Sequence, residues 1–138
     1  MKLFIYTDGA SRGNPGVAAY GFTIADDGGR LLHEEGGFIG ITTNNVAEYK
    51  AVLKALETVS KKFGQVNGLQ MELFADSKLV AEQLSGRYKI KSPHLKPIIE
   101  KVQILALNLG GVTYNHIPRW QNTRADKLAN EALDRQKL

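Results

Sequence analysis

Four acidic residues are the clearest candidates for chemistry in this chain: Asp8, Glu48, Asp76 and Asp126. Each lies at the edge of a predicted strand or helix, inside a segment that is otherwise apolar. Because like charges repel and raise each other's pKa values, a cluster of four carboxylates is reasonable when divalent cations neutralise it. Two such ions about 3.5–4 Å apart can clamp the attacking and leaving oxygens of a phosphodiester. The four acids together therefore indicate a two-metal site that cleaves phosphodiesters.

Each acid also has a purely structural explanation, because turns and helix N-termini use the same residue types. An aspartate before glycine is a common turn residue, and an aspartate before a helix is a common N-cap. An acidic residue three positions after Asn or Thr has the spacing of a capping box. The turn explanation applies to Asp8 before Gly9, and the N-cap explanation applies to Asp76. The capping-box explanation applies to Glu48 after Asn45 and to Asp126 after Thr123.

Length and composition favour one domain without cysteine chemistry. The chain has 138 residues, 43% of them hydrophobic and 23% charged, and we expect residues 1–138 to form a single domain. The absence of cysteine excludes disulfides and thiolate metal sites, so oxygen or imidazole must hold any metal. No apolar run reaches the length that spans a membrane, and we expect a cytoplasmic monomer.

Positive charge is concentrated in one stretch of the chain. The net charge is +4, and residues 77–101 alone hold six basic and two acidic residues, which is the same excess. Tyr88 lies in this stretch beside Arg87, Lys89 and Lys91. A basic cluster that contains an aromatic residue suits a phosphate backbone, so the stretch indicates a nucleic-acid partner.

The hydrophobic pattern predicts the elements that must position the acids. It favours strands at residues 2–8, 17–25, 30–40, 69–75 and 112–117, and helices at residues 43–62, 77–84, 98–109 and 123–135. The first three strands form an antiparallel meander, whereas strands joined through helices pair in parallel. The predicted fold is α/β, with a five-stranded mixed sheet and helices on both faces.

This arrangement predicts where the acids meet. Asp8 and Asp76 occupy the last positions of two strands that we expect to be parallel neighbours, so both emerge at one sheet edge, where ligands gather in open α/β sheets. Glu48 and Asp126 lie in the first turns of helices that can point back to that edge. Oxygen ligands without cysteine favour Mg²⁺ or Mn²⁺.

Several local motifs occur in a fixed order along essentially the whole chain. They are Thr7-Asp8-Gly9-Ala10-Ser11, Gly13-Asn14-Pro15-Gly16, Thr42-Thr43-Asn44-Asn45 leading to Glu48, Asp76-Ser77, and His116 ten residues before Asp126. This ordered set resembles type 1 ribonuclease H. The resemblance implies a ribonuclease H-like fold and an endonuclease that cuts the RNA strand of RNA·DNA hybrids with two metal ions. It also implies 5′-phosphate and 3′-hydroxyl ends.

Two alternatives remain within the same fold. One is an enzyme of broader specificity that also cleaves double-stranded RNA. The other is an inactive member that only binds nucleic acid. The intact acids argue against the second, because a pure binder gains nothing from negative charge that faces phosphates.

The resemblance assigns roles around the reaction centre. The four acids match the metal-binding catalytic residues of the family. His116 matches its mobile histidine, which assists proton transfer and product release. Some members place an arginine in this loop instead, so Arg119 is a second candidate for that role, and Asn122 is a candidate for holding the loop.

The resemblance also assigns substrate contacts. Asn14, Thr43, Asn44 and Asn45 match positions that contact the hybrid, with Thr43 on a phosphate and the asparagines in the minor groove. Amide side chains suit that groove because they both donate and accept, and so read base edges and 2′-hydroxyls without sequence selection.

The chain departs from the family pattern in its basic region. Several members carry a long, tryptophan-rich basic protrusion after the second helix, which is short here, and the single tryptophan, Trp120, lies in another loop. Ile41 stands where some relatives bind DNA phosphate with a basic residue. We therefore predict that the substitutes for the protrusion are Arg87, Tyr88, Lys89 and Lys91.

Overall fold

Strands and helices follow one another in the predicted order. The computed structural model describes residues 1–136. The strands are β1 (Lys2–Gly13), β2 (Gly16–Asp26), β3 (Leu31–Thr42), β4 (Gln70–Ala75) and β5 (Thr113–His116). The α-helices are α1 (Asn44–Phe63), α2 (Lys78–Leu84), α3 (Lys96–Asn108) and α4 (Thr123–Arg135), with a 3₁₀ turn at Arg119–Gln121. None of the helices within the described range is long and apolar enough to cross a membrane.

The five strands form one mixed sheet in the order β3-β2-β1-β4-β5. β2 pairs antiparallel with both β1 and β3, and β4 pairs parallel with both β1 and β5. This is the predicted meander followed by two parallel strands, so the predicted sheet is confirmed.

β1 is longer than the sequence pattern predicts. It continues past Asp8 as far as Gly13, because its second half stays paired with β2 from Asp8 opposite Gly21 to Gly13 opposite Gly16. The prediction that Asp8 ends the strand is therefore wrong. Its parallel neighbour β4 does stop here, with Ala75 opposite Thr7, so Asp8 lies where the parallel pairing ends.

Helices cover both faces of the sheet. The main core lies on one face, where α1 and α2 pack on apolar side chains of the strands and α3 packs against α1. On α1 the buried residues recur at helical spacing, as the pattern of Tyr49, Val52, Leu56 and Val59 predicts. α4 packs on the opposite face, where Ala132 and Leu133 contact Ala19 of β2.

Two glycines let α4 lie directly on the strands. A Cβ atom at Gly21 would stand 2.2 Å from the carbonyl oxygen of Ala125, and one at Gly36 would stand 2.4 Å from that of Leu128. Any larger residue would force the helix away from the sheet. The close packing places the first turn of α4, which carries Asp126, over the strand that carries Asp8.

Candidate active site

The four acids converge at the point where β4 ends. Carboxylate oxygens of Asp8, Glu48 and Asp76 lie within 4.8 Å of one another. Asp126 lies beside Asp8, which is only 4% exposed, and its negative charge adds to the upward shift of the Asp8 pKa. Asp8, Glu48 and Asp126 border a pocket of about 390 Å³ together with Arg119. The structure therefore brings together the carboxylates that the sequence singled out.

None of the four acids serves as the turn residue or cap that the structural explanations require. Thr43 caps α1, because its hydroxyl accepts from the Val46 N–H at 3.3 Å. Ser77 caps α2 in the same way, with Val80 as its donor at 3.3 Å. The N-cap of α4 is Asn122, one residue before the Thr123 of the expected capping box. With Asp8 inside β1, the capping and turn explanations are all wrong.

Burial and mutual repulsion act together on the central acids. Burial raises the pKa of Asp8 most, and the negative charges of Glu48 and Asp76 raise it further. Burial and Asp76 also raise the pKa of Glu48, although the Gly9 N–H, Asp8 and Arg119 oppose this shift. The acids are therefore crowded to a degree that a structural role does not explain.

The cluster fits a divalent cation. Among the described residues, Glu48 keeps one buried carboxylate oxygen, Oε2, without a hydrogen-bond partner. A buried acceptor without a partner is costly, and a cation would satisfy it while offsetting the repulsion. The donors are all carboxylate oxygens, which hard divalent ions prefer.

Two asparagines, one at the N-cap of α4 and one within that helix, hold the acids in place. The Nδ2 of Asn122 donates to the Thr7 carbonyl at 2.8 Å and reaches Asp76 Oδ2 at 3.4 Å. Asn122 is 1% exposed, so these bonds are shielded from water. Asn130 donates to Asp126 Oδ1 at 3.2 Å. Asn130 is not among the residues predicted from the sequence, although its position four residues after Asp126 on a helix could have indicated the contact.

His116 and Arg119 have different surroundings. Arg119 borders the acid pocket, and its positive charge lowers the pKa of Glu48. His116 ends β5 opposite Ala75, and its side chain is exposed. The arginine thus lies at the acids, whereas the histidine lies at the neighbouring sheet edge. The catalytic roles of both residues stay predictions.

The predicted substrate-binding residues surround the acids in three adjoining depressions, and Asn45 borders all three. Asn44 borders the acid pocket, and its N–H donates to Asn14 Oδ1 at 3.1 Å. A groove of about 510 Å³ contains Asn14, Thr43 and Asn45. A second groove of about 590 Å³ is lined by Asn45 and by Arg87, Tyr88, Lys89 and Lys91. Contact of these residues with nucleic acid stays a prediction.

Three further residues that line these grooves were not predicted from the sequence. Ser92 and His94 border the groove that contains Thr43, and no local motif marks them. Gln83 is buried in the floor of the second groove. Its position between Val80 and Leu84 on the apolar side of α2 could have identified it as a buried polar residue that needs partners.

Known proteins resemble the chain over nearly all of its length. A family model described as reverse transcriptase-like matches residues 6–132. A bifunctional protein of Mycobacterium tuberculosis is 42% identical over 135 residues, which are 97% of this chain and 36% of that protein. The ribonuclease HI of Halobacterium salinarum is 42% identical over 133 residues, which are 96% of this chain and 65% of that enzyme. The chain thus spans only part of the length of both proteins.

A solved structure is also closely similar. LC11-RNase H1, isolated from compost by a metagenomic approach and crystallised in complex with an RNA/DNA hybrid, superposes with a TM-score of 0.95. The two proteins are 42% identical, and the match covers 99% of each chain.

Proposed function

The chain belongs to the type 1 ribonuclease H family, and on that premise we propose that it is a metal-dependent endonuclease that hydrolyses the RNA strand of RNA·DNA hybrids. The observation that carries the proposal is the convergence of Asp8, Glu48 and Asp76 within 4.8 Å, with Asp126 in contact with Asp8. The hybrid bound to LC11-RNase H1 supports the same substrate for this chain. The cut leaves 5′-phosphate and 3′-hydroxyl ends.

The four acids would hold two Mg²⁺ ions, or Mn²⁺ ions in their place. When bound, the ions lower the pKa of the attacking water and stabilise the charge on the phosphodiester oxygens. The protein supplies the ligands in fixed positions. Asp8 is fixed by a central strand, Asp76 by the amide of Asn122, and Asp126 by that of Asn130.

The remaining side chains bind the substrate and handle the proton. Arg119 places a permanent cation beside Glu48, where it attracts the phosphate to be cut. His116 donates a proton to the departing 3′-oxygen. Asn44 and Asn45 read the 2′-hydroxyls that distinguish RNA from DNA.

One assay tests the proposal directly. The protein is incubated with labelled hybrid, double-stranded RNA or duplex DNA in Mg²⁺, Mn²⁺ or EDTA, with the Asp8→Asn variant as the matched control. We expect cleavage of the RNA strand of the hybrid with metal, no cleavage in EDTA or by the variant, and no cleavage of duplex DNA. Products that ligate without phosphorylation would establish the 5′-phosphate. Tight binding of hybrid without cleavage in either metal would identify an inactive member, and equal cleavage of double-stranded RNA would identify the broader enzyme.

A further inference from the structure

A buried glutamine joins the helix that carries Glu48 to residues 86–92, the segment called here the basic loop. Gln83 is 7% exposed, and its Oε1 accepts a hydrogen bond from the hydroxyl of Tyr49. Its Nε2 donates to the backbone carbonyl of Lys89 at 3.2 Å. Tyr49 is fully buried and directly follows Glu48 in α1. A continuous chain of hydrogen bonds therefore runs from the catalytic helix to the basic loop.

The basic loop has little regular structure of its own. Its start is tied to α2, because the N–H groups of Arg87 and Tyr88 donate to the Glu82 carbonyl at 2.9 and 3.3 Å. Its end is tied to α3, where the Ser92 carbonyl accepts from the N–H of Leu95 and Lys96. Between these anchors, Ile90 packs on the core and Gln83 holds the Lys89 carbonyl. The amide thus fixes the loop where its lysines lie.

The loop forms one wall of the groove of about 590 Å³ that continues from Asn45. Lys89 and Lys91 border this groove and are exposed, whereas Gln83 lies in its floor. Because α1 carries both Asn45 and Glu48, the tie through Tyr49 sets the spacing between the cationic wall and the acid pocket. Loops without such a tie lose conformational entropy when they bind, which weakens affinity.

We infer that Gln83 is a positioning residue, which holds Lys89 and Lys91 where they meet the phosphate backbone of the bound nucleic acid. The inference rests on the proposed function. Loss of the amide leaves the Tyr49 hydroxyl and the Lys89 carbonyl without their partner, and the carbonyl turns toward water with the loop. Gln83 then contributes to substrate binding without touching the reacting atoms.

The test uses Gln83→Met, which keeps the length of the side chain and removes both hydrogen bonds. Affinity for hybrid is measured by fluorescence anisotropy in EDTA at several salt concentrations, and kcat and KM are measured in Mg²⁺. Since the change removes one positioning contact, we expect KM and the metal-free Kd to rise roughly three- to tenfold while kcat changes less than about twofold. The dependence of affinity on salt should also become shallower, because fewer cations are held at the phosphates.

A double-mutant cycle separates positioning from general destabilisation. The variants are Gln83→Met, Lys89→Ala with Lys91→Ala, and all three changes together. If Gln83 acts through the lysines, its effect on Kd should largely vanish once they are absent. Val59→Ala is the matched control, since Val59 is buried at the far end of α1 and its truncation lowers stability without altering the loop.

Each outcome decides one question. An unchanged Kd and salt slope for Gln83→Met, with cleavage by the wild type intact, would overturn the inference and leave the proposed function standing. An equal loss of affinity for Gln83→Met and Val59→Ala would also overturn it, because stability would then explain the loss. A wild type that neither binds nor cleaves hybrid would contradict the proposed function itself.

Discussion

The backbones of Gly9 and Glu48 lie in direct contact. A Cβ atom at Gly9 would stand 2.3 Å from the backbone nitrogen of Glu48 and 2.3 Å from the carbonyl carbon of Ala47. Glycine at this position therefore allows α1 to cross β1 closely enough for Glu48 to reach Asp8. The contact is a backbone contact, so a change of rotamer cannot relieve a clash.

Gly9→Ala should displace α1 and separate Glu48 from the other acids. We expect a loss of about 1–3 kcal/mol in the free energy of unfolding, typical of overpacking, and a larger loss of cleavage than stability explains. Urea unfolding and hybrid cleavage well below the melting temperature would measure the two effects. Gly28→Ala is the control, because its Cβ would meet only Asp26 Oδ1, at 3.4 Å. Full cleavage activity of Gly9→Ala would contradict this prediction, because it would show that α1 can move without separating Glu48 from the other acids.

The crowded acids predict a pH-dependent stability in the absence of metal. The pKa of Asp8 is raised in the folded state, so the folded state binds more protons than the unfolded state above about pH 4, the ordinary pKa of an aspartate. The contribution of Asp8 to stability is therefore present at low pH and is lost as pH rises. In EDTA, Asp8→Asn should be more stable than the wild type, by a margin that grows with pH.

Thermal unfolding between about pH 5 and pH 9 would check this prediction, since the window lies above the unfolded pKa of the acid. Asp27→Asn, in the exposed turn between β2 and β3, is the matched control and should show no growing margin. Mg²⁺ should raise the stability of the wild type more than that of Asp8→Asn, because only the wild type keeps all four acids. A constant margin at every pH would contradict the crowding argument.

Arg119 and His116 should differ in their contributions to turnover. Because Arg119 borders the acid pocket, we expect Arg119→Ala to lower kcat about 100-fold, as the loss of one charge-stabilising group does. His116→Ala should lower kcat about tenfold, at the low end for a proton-transfer group. Single-turnover cleavage of one hybrid would compare the variants, with Arg119→Lys included to restore the charge. A larger decrease in kcat for His116→Ala than for Arg119→Ala would contradict this prediction.

Selection of RNA should depend on the first residues of α1. Asn44 and Asn45 begin this helix, and both are exposed beside the acids. A hybrid with deoxynucleotides at and next to the cut site should resist cleavage, because groups that bond a hydroxyl are left unpaired without it. Competition between all-ribo and site-deoxy hybrids at equal concentration measures the preference, and Asn44→Ala with Asn45→Ala should reduce it. Equal cutting of both hybrids by the wild type would identify a general nuclease.

Much of this architecture follows from local patterns in the sequence. Apolar residues that recur every two residues predicted the strands, and those that recur every three to four residues predicted the helices. The order of these elements along the chain predicted the sheet. The end of β1 was misplaced because Gly9 and Gly13 resemble turn residues, whereas pairing with β2 extends the strand through Gly9 as far as Gly13. Cross-strand pairing overrode the local signal.

Other features depend on residues far apart in the chain and could not be read locally. The close packing of α4 on the sheet requires glycine at positions 21 and 36. Because Gly21 and Gly36 lie on two different strands, no pattern within the helix sequence indicates them. The bond from Asn122 to Asp76 spans 46 positions, and the bond from Tyr49 to Gln83 spans 34. Such contacts exist only after the tertiary structure has formed, so sequence periodicity carries no trace of them.

The acids come from β1, from α1, from the end of β4 and from α4, and no two of them are neighbours in sequence. No subset of contiguous elements can assemble the site, because the first acid lies near the start of the chain and the last lies in the final helix. On the proposed function, cleavage would therefore require the complete tertiary structure, and a partly folded ensemble that keeps its secondary structure but releases α4 would not cleave hybrid. Residual cleavage would then report the population of the fully native state.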